Sequence, residues 1–267
     1  MASNSTKSLT PNRVMIITGA SSGIGAAVAR RMAREKYCLL LAARREDRLE
    51  SVSRDICKTG GEAIVIPTDV TRHEDLERML MVALNHWGRV DILFNNAGVS
   101  YDDALVQMTP EEIQQEIHTN LTAVIESTRV ALPTMLRQKS GHVINTASIG
   151  GLIATPNASI YSATKFGVVG FSDALRRELC GTGVHVSAFC PGYTPSELTP
   201  SLRAQYEGRE GARSQPGIMP NTYVADQVAD LIRRPRRMLL IPKLWRPLIL
   251  FGTLFPAATD VLLKYYS

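Results

Sequence analysis

Tyr161 and Lys165 lie four residues apart in a stretch whose apolar spacing predicts one long helix, about residues 159–180, so both side chains leave the same face. A free phenol titrates near ~10, too high for a good base at neutral pH. An ammonium one turn away stabilises the phenolate and pulls that value down. The pair can then give a proton to a carbonyl oxygen, or take one from an alcohol. Ser148, upstream, can hydrogen-bond the same oxygen and fix its position. Tyr-x-x-x-Lys alone is a common accident of sequence. It gains meaning only beside groups that could hold a redox partner.

Such groups stand near the start of the chain, in Thr18-Gly19-Ala20-Ser21-Ser22-Gly23-Ile24-Gly25. An apolar run, VMIIT over residues 14–18, precedes this turn and an amphipathic helix over about 24–35 follows it. Gly19, Gly23 and Gly25 let the backbone turn sharply and approach a pyrophosphate, while the helix start offers unbonded amides and a positive dipole end. Ser21, Ser22 and Ile24 complete the cradle. A ligand-free glycine turn is the bland alternative, and the position in the first βα unit favours a dinucleotide. The next apolar run ends Ala42-Ala43-Arg44-Arg45. An acid at that tip would hold the ribose hydroxyls, whereas a guanidinium suits a 2′-phosphate. NADP(H) is the expected cofactor, with Arg44 better placed than Arg45. The competing reading has both arginines solvated or paired with Glu46 or Asp47, two acids that also suit the next helix start.

Apolar strand-like runs alternate with helical stretches from one end of the chain to the other. Strands are expected at 14–18, 38–43, 63–67, 92–95, 142–146, 184–190 and 238–241. Thr71-Arg72-His73-Glu74 has capping-box spacing for a helix running to about Trp87. Thr109-Pro110-Glu111-Glu112 opens another, with a hydroxyl cap, Pro in the first turn and acids at the dipole's positive end. Continuous apolar strands between helices imply α/β architecture, with a parallel, doubly wound sheet covered on both faces. Residues 193–221 are irregular and rich in Pro and Gly, as a substrate lid would be.

The spacing G-x-x-x-G-x-G with Thr in front resembles the short-chain dehydrogenase/reductase family, in its compact single-domain group. Asn95-Asn96-Ala97-Gly98, Ser148, Tyr161/Lys165 and Pro191-Gly192 follow in the order that family shows, over roughly residues 13–194. The resemblance implies a Rossmann sheet of about seven strands in a single domain. It implies a homodimer or homotetramer built on the helices after strands four and five. It also implies that Lys165 holds the nicotinamide ribose and that Asn120 supports a water-linked proton relay to Lys165; a side-chain hydrogen bond that merely joins two elements is the alternative for Asn120. Asp69 with Val70 would contact adenine; Asp69 as a helix cap is the equally weighted alternative. Asn95, Asn96, Ala97 and Gly98 would line the cofactor cleft. Pro191, Gly192 and Thr194 would lie beside the carboxamide, with Ser196 as an alternative hydroxyl. The expected activity is hydride transfer between NADP(H) and a small-molecule carbonyl or secondary alcohol. Alternatives are reduction of a carrier-bound 3-oxoacyl thioester, and an NADP-binding sensor or scaffold without chemistry.

The 267 residues carry 45% hydrophobic and 21% charged side chains, enough for a substantial core. Residues 1–12 read as a flexible polar tail without a secretory signal, 13–242 as the catalytic domain, and 243–267 as an apolar and basic extension. Cys38 and Cys190 fall in apolar runs and read as reduced buried thiols, which suggests a cytoplasmic setting. His73, His86, His118, His142 and His185 lack metal-ligand spacing, so no metal is expected. The net charge of +5 concentrates at the end, where seven Lys/Arg after residue 232 face one acid, Asp260. Confinement of that charge to an apolar end argues against nucleic acid. The run LWRPLILFGTLFPAATDVLL, residues 244–263, is too interrupted to span a bilayer. It could lie on an anionic membrane surface, cover the cleft, or meet another subunit, and its closeness to the lid suggests a lipophilic substrate.

Overall fold

The computed structural model describes residues 13–101, 103–195 and 218–263. Seven strands make one parallel sheet: β1 (Val14–Thr18), β2 (Cys38–Ala43), β3 (Glu62–Pro67), β4 (Ile92–Asn95), β5 (Gly141–Thr146), β6 (Val184–Pro191) and β7 (Met238–Ile241). Their order is β3-β2-β1-β4-β5-β6-β7, the doubly wound sheet the alternation predicts. The chain builds outward from β1 to β3, then returns to add β4 on the other side of β1. Ligands bind this architecture at the carboxyl ends of the strands where the order reverses.

The helices among the described residues are α1 (Gly23–Ala33), α2 (Glu46–Lys58), α3 (His73–Trp87), α4 (Pro110–Ile117), α5 (Ala123–Gln138), α6 (Ser159–Glu178), α7 (Asn221–Arg233), α8 (Trp245–Leu254) and α9 (Pro256–Leu263). Strand residues alternate between two cores. Met15 and Ile17 pack with Met32, Leu49 and Val228 from α1, α2 and α7. Val14 and Ile16 pack with Leu76, Met79 and Met135 from α3 and α5. Both faces are thus buried, which is why the strands read as unbroken apolar runs.

Local chemistry explains most element ends. Thr109 accepts from the Glu112 amide at 3.2 Å while Glu112 accepts from the Thr109 amide at 2.8 Å, a full capping box. Helix α3 departs from the sequence expectation. Its cap is Arg72 without a side-chain bond, and the Thr71 hydroxyl instead donates to Asp69 Oδ1 at 2.7 Å. Asp69 Oδ1 also takes the Thr71 amide at 3.0 Å, and Asp75 Oδ2 takes the Asp69 amide at 2.8 Å. Asp69 therefore closes a turn ahead of the helix, and that turn consumes the hydroxyl a capping box would need. Cys38 and Cys190 are buried as expected, and Cys57 and Cys180 are exposed. Residues 1–12 and most of the expected lid, including Ser196, lie outside the described residues.

Candidate active site

The β1–α1 turn is built by contact with the loop after β4. Gly19 has φ +66°, and a β-carbon there would sit 2.9 Å from Ala97 Cα, so only glycine fits without strain. Thr18 Oγ1 accepts from the amides of Asn96 at 2.9 Å and Ala97 at 3.1 Å. Asn96 Nδ2 donates back to Thr18 O at 3.2 Å and lies 2.8 Å from where a Gly25 β-carbon would be. Asn96, Ala97 and the glycine turn are thereby one unit. Thr18 is the stitch, visible in the sequence only as the residue before the first glycine. Helix α1 starts at Gly23 with Ser22 as a cap that makes no side-chain cap bond, so its first-turn amides suit an anion. Arg45 Nη2 reaches across from the β2 tip to Ser21 Oγ at 3.1 Å and Ser22 Oγ at 3.3 Å. The donor set of amides, hydroxyls and guanidiniums fits a dinucleotide phosphate. Arg45, the second choice from the sequence, is the arginine that leans over the cradle. Arg44 acts on Asp69: burial opposes ionisation of that carboxyl, and the Thr71 bonds with nearby Arg44 and Arg72 outweigh it, keeping it below its ordinary value. Val70 is buried beside it.

Asn95 corrects the sequence reading. Its side chain points away from the cleft into the interior: Nδ2 donates to Asn145 Oδ1 at 2.9 Å and Thr128 Oγ1 at 3.1 Å, and Oδ1 accepts from Ser127 at 2.7 Å. Asn145 Nδ2 continues to Ser172 Oγ at 3.0 Å. This satisfied network ties β4 and β5 to α5 and α6, and so fixes the helix that presents Tyr161 and Lys165, with about 1 kcal/mol per bond. Asparagine on a strand interior was its only signal in sequence.

Helix α6 presents Tyr161 and Lys165 below the cleft. Lys165 is buried, and its Nζ donates to Thr146 O at 2.9 Å, at the carboxyl end of β5. The same Nζ lies 5.5 Å from the Tyr161 ring centroid. Burial pushes the Lys165 ammonium down to about 8, against the opposing field of Glu116. Ser148 caps a short 3-10 turn (Ile149–Gly151), its Oγ accepting from the Gly150 amide at 3.1 Å. A β-carbon on Gly150 would meet Tyr161 Cε1 at 3.3 Å and Ser148 Oγ at 3.6 Å, so serine, phenol ring and glycine share one wall.

Asn120 closes the set from a π-helical turn (His118–Thr122) between α4 and α5. The sequence predicts an unbroken helix here; the inserted turn is the difference, and such bulges often occur at functional sites. Asn120 is fully buried and clasps Val99, accepting from its amide at 2.9 Å and donating to its carbonyl at 2.8 Å. A β-carbon on Gly98 would lie 3.2 Å from Asn120 Oδ1 and 3.9 Å from Lys165 Nζ. Asn120, Gly98 and Lys165 are therefore neighbours. Glu116, one turn before Asn120, is fully buried and favours the charged form of Lys165. The sequence reading missed it; a charged residue four before Asn120 was the available signal. On the far wall, the Gly192 amide donates to Ile241 O at 2.7 Å, following Pro191 at the end of β6, and Thr194 is buried nearby. The ends of the irregular segment are tied together by Met219 N to Tyr193 O at 3.0 Å and Asn221 Nδ2 to Pro195 O at 2.9 Å. Among the described residues, no cluster of three or more His, Cys, Asp or Glu is placed to hold a metal.

Comparison with known proteins agrees with the fold. Residues 13–207 match the family model described as short chain dehydrogenase. A ketoacyl reductase of Nostoc sp. is 31% identical over 261 residues, covering 96% of this chain and 89% of its own. A crystal structure of a variant actinorhodin polyketide ketoreductase with NADPH is 32% identical, with TM-score 0.78, covering 86% of this chain and 95% of that one. A short-chain dehydrogenase/reductase from Burkholderia phymatum in complex with NAD is 28% identical, with TM-score 0.83 and 95% of each chain covered.

Proposed function

We propose that this chain, which belongs to the short-chain dehydrogenase family, is an oxidoreductase that uses NADPH to reduce a ketone or aldehyde, or runs the reverse, with Tyr161 moving the proton. The observation that carries this is the buried Lys165 Nζ, anchored on Thr146 O and 5.5 Å from the Tyr161 ring, beside Ser148. NADPH supplies the hydride. Tyr161 gives its phenolic proton to the carbonyl oxygen, and the Lys165 ammonium stabilises the phenolate left behind. Ser148 donates to the same oxygen and holds the carbonyl in place. Asn120, by clasping Val99, fixes the wall that keeps Gly98 open beside Lys165. The first-turn amides of α1 would hold the pyrophosphate, and Arg44 and Arg45 would hold the 2′-phosphate. A lipophilic substrate suits the apolar wall formed by Leu152 and Ile153 against α8.

Tyr161→Phe is expected to lower kcat about 10³-fold while NADPH affinity stays within about twofold. Turnover within tenfold of the parent chain would remove Tyr161 from the reaction. Arg44→Ala combined with Arg45→Ala is expected to cut the NADPH-over-NADH ratio of kcat/KM by roughly 10–100-fold, since two charge-assisted contacts are lost. A parent chain that already prefers NADH would overturn the NADPH assignment.

A second reading has the substrate as a 3-oxoacyl thioester on an acidic carrier protein. Exposed Lys243 and Arg246 favour it. The two readings separate if a free ketone and the carrier-bound thioester are compared by kcat/KM.

A further inference from the structure

We propose that the C-terminal helix pair α8–α9 is a docking face for an anionic lipid bilayer, lying flat among the headgroups. Helix α8 has no buried residue. Leu244, Leu250, Leu254, Phe255 and Val261 are each more than half exposed, and the Phe251 and Phe255 rings lie tilted against each other with centroids 5.3 Å apart. Six large apolar side chains exposed along one helix pair are the kind of patch that marks an interaction surface. A groove of about 280 Å³ runs beneath, between α8 and the Leu152, Met238 and Leu240 side chains, with Arg246 at its rim.

Length and charge select the occupant. Helices of 10 and 8 residues rise about 15 and 12 Å, against roughly 30 Å of hydrocarbon, so neither crosses. No helix among the described residues is long and apolar enough to do so. An interfacial helix needs an apolar face, aromatic side chains and flanking cations. Arg233, Arg236 and Arg237 are already held by Glu35, Asp230 and Asp173. Lys243 and Arg246, exposed at the start of α8, make no ion pair with an acid among the described residues, and Arg234 is likewise exposed. Asp260 is the one acid on the two helices. A second copy meeting this face across a twofold axis would set these cations against their own duplicates, whereas anionic lipid attracts each of them. The face also abuts the reaction site. Trp245 Nε1 lies 3.4 Å from where a Gly192 β-carbon would be, and Ile153 Cδ1 lies 3.3 Å from that of Gly252. A lipid-dissolved substrate would therefore meet the cleft without passing through water.

Flotation of the full chain with vesicles of phosphatidylcholine alone, or mixed with phosphatidylglycerol, tests this. Binding to the mixed vesicles is expected to exceed binding to neutral ones by at least about tenfold and to weaken with salt. Lys243→Glu with Arg246→Glu should cost about fivefold or more per charge. Leu254→Ser with Phe255→Ser should abolish binding while NADPH-dependent turnover in detergent-free buffer, where substrate is soluble, is kept. If that apolar variant misfolds, the charge variant, altered only at exposed side chains, decides. Equal recovery with neutral, anionic and no vesicles overturns the proposal. So does a parent chain that is oligomeric, binds no vesicle and becomes monomeric on Leu254→Ser with Phe255→Ser, which gives the face to a second copy. Either failure leaves the carbonyl chemistry intact, because turnover is read separately.

Discussion

Strand β5 has a buried nitrogen base at each end, and the two behave differently. At its amino end His142 is buried, with Nε2 at 2.8 Å from Ser187 Oγ and the His185 ring edge-on at 6.1 Å. Ser187 commits its proton to Arg236 O, so the imidazole donates from Nε2 and stays neutral. Burial first, and His185 second, push it down to about 3. At the carboxyl end Lys165 is equally enclosed, yet burial takes it only to about 8, with the Glu116 carboxylate opposing the shift. Burial is common to both ends; the company differs. Neutral hydrogen bonding makes His142 a structural part, while a nearby carboxylate leaves Lys165 able to change charge near physiological pH.

Removing the base from the carboxyl end should have the largest effect. Lys165→Met is expected to lower turnover about 10³-fold or more and yet raise stability at pH 7 by on the order of 1–3 kcal/mol. The sign follows from the depressed folded value, about 8 against 10.5. Between those values the unfolded chain binds the extra proton, so the parent chain gains stability as pH rises from 8 to 10.5 and pays for the buried charge below 8. Urea unfolding at pH 7 and pH 10 reads both terms. A Met variant less stable at pH 7 would show that the Thr146 bond, rather than desolvation, dominates at Lys165.

The amino end should give the complementary result. His142 falls from 6.5 to about 3 on folding, so its contribution is complete above 6.5 and is lost as pH drops toward 3. That loss is at most about 5 kcal/mol. His142→Gln keeps an amide donor for Ser187 without a proton-binding site, so acid unfolding should become shallower while kcat near pH 7 changes less than about twofold. A large fall in kcat would mean that the two ends are coupled through β5.

The sequence carried one end of this comparison far better than the other. Parallel strands with both faces buried leave long apolar runs, so all seven were legible, with β7 placed to the residue. Tyr161, Lys165, Ser148 and the glycine turn were legible because their chemistry demands fixed residue types at fixed spacing. Contacts between distant segments were not. Asn95 bonds to Ser127, Thr128 and Asn145 across three elements, and no local pattern separates that from a cleft-lining role. Thr71 and Glu74 had the spacing of a capping box, but Asp69, two residues earlier, captured the hydroxyl. The π turn at Asn120 left no periodic trace in a stretch that is helical on either side. Arg44 ranked ahead of Arg45 by its place at the strand end, but side-chain direction, which spacing does not carry, sets Arg45 over the cradle.

The smallest effect should come from the carboxylate that separates the two ends in kind. Glu116 sits one turn before Asn120, fully buried, and its field holds the Lys165 proton. Glu116→Gln keeps size and hydrogen-bonding atoms and removes the charge. Desolvation then meets less opposition, and Lys165 releases its proton at a lower pH than the parent's value of about 8. Turnover near pH 6 should remain within about twofold, because the ammonium is still charged there, and the alkaline limb should begin earlier. Glu116→Asp should restore part of that limb, since it returns the charge at a slightly greater distance. A uniform loss at every pH, unrelieved by Asp, would make Glu116 a packing residue. The difference between the ends of β5 would then rest on the bonds alone, Thr146 O for Lys165 and Ser187 for His142.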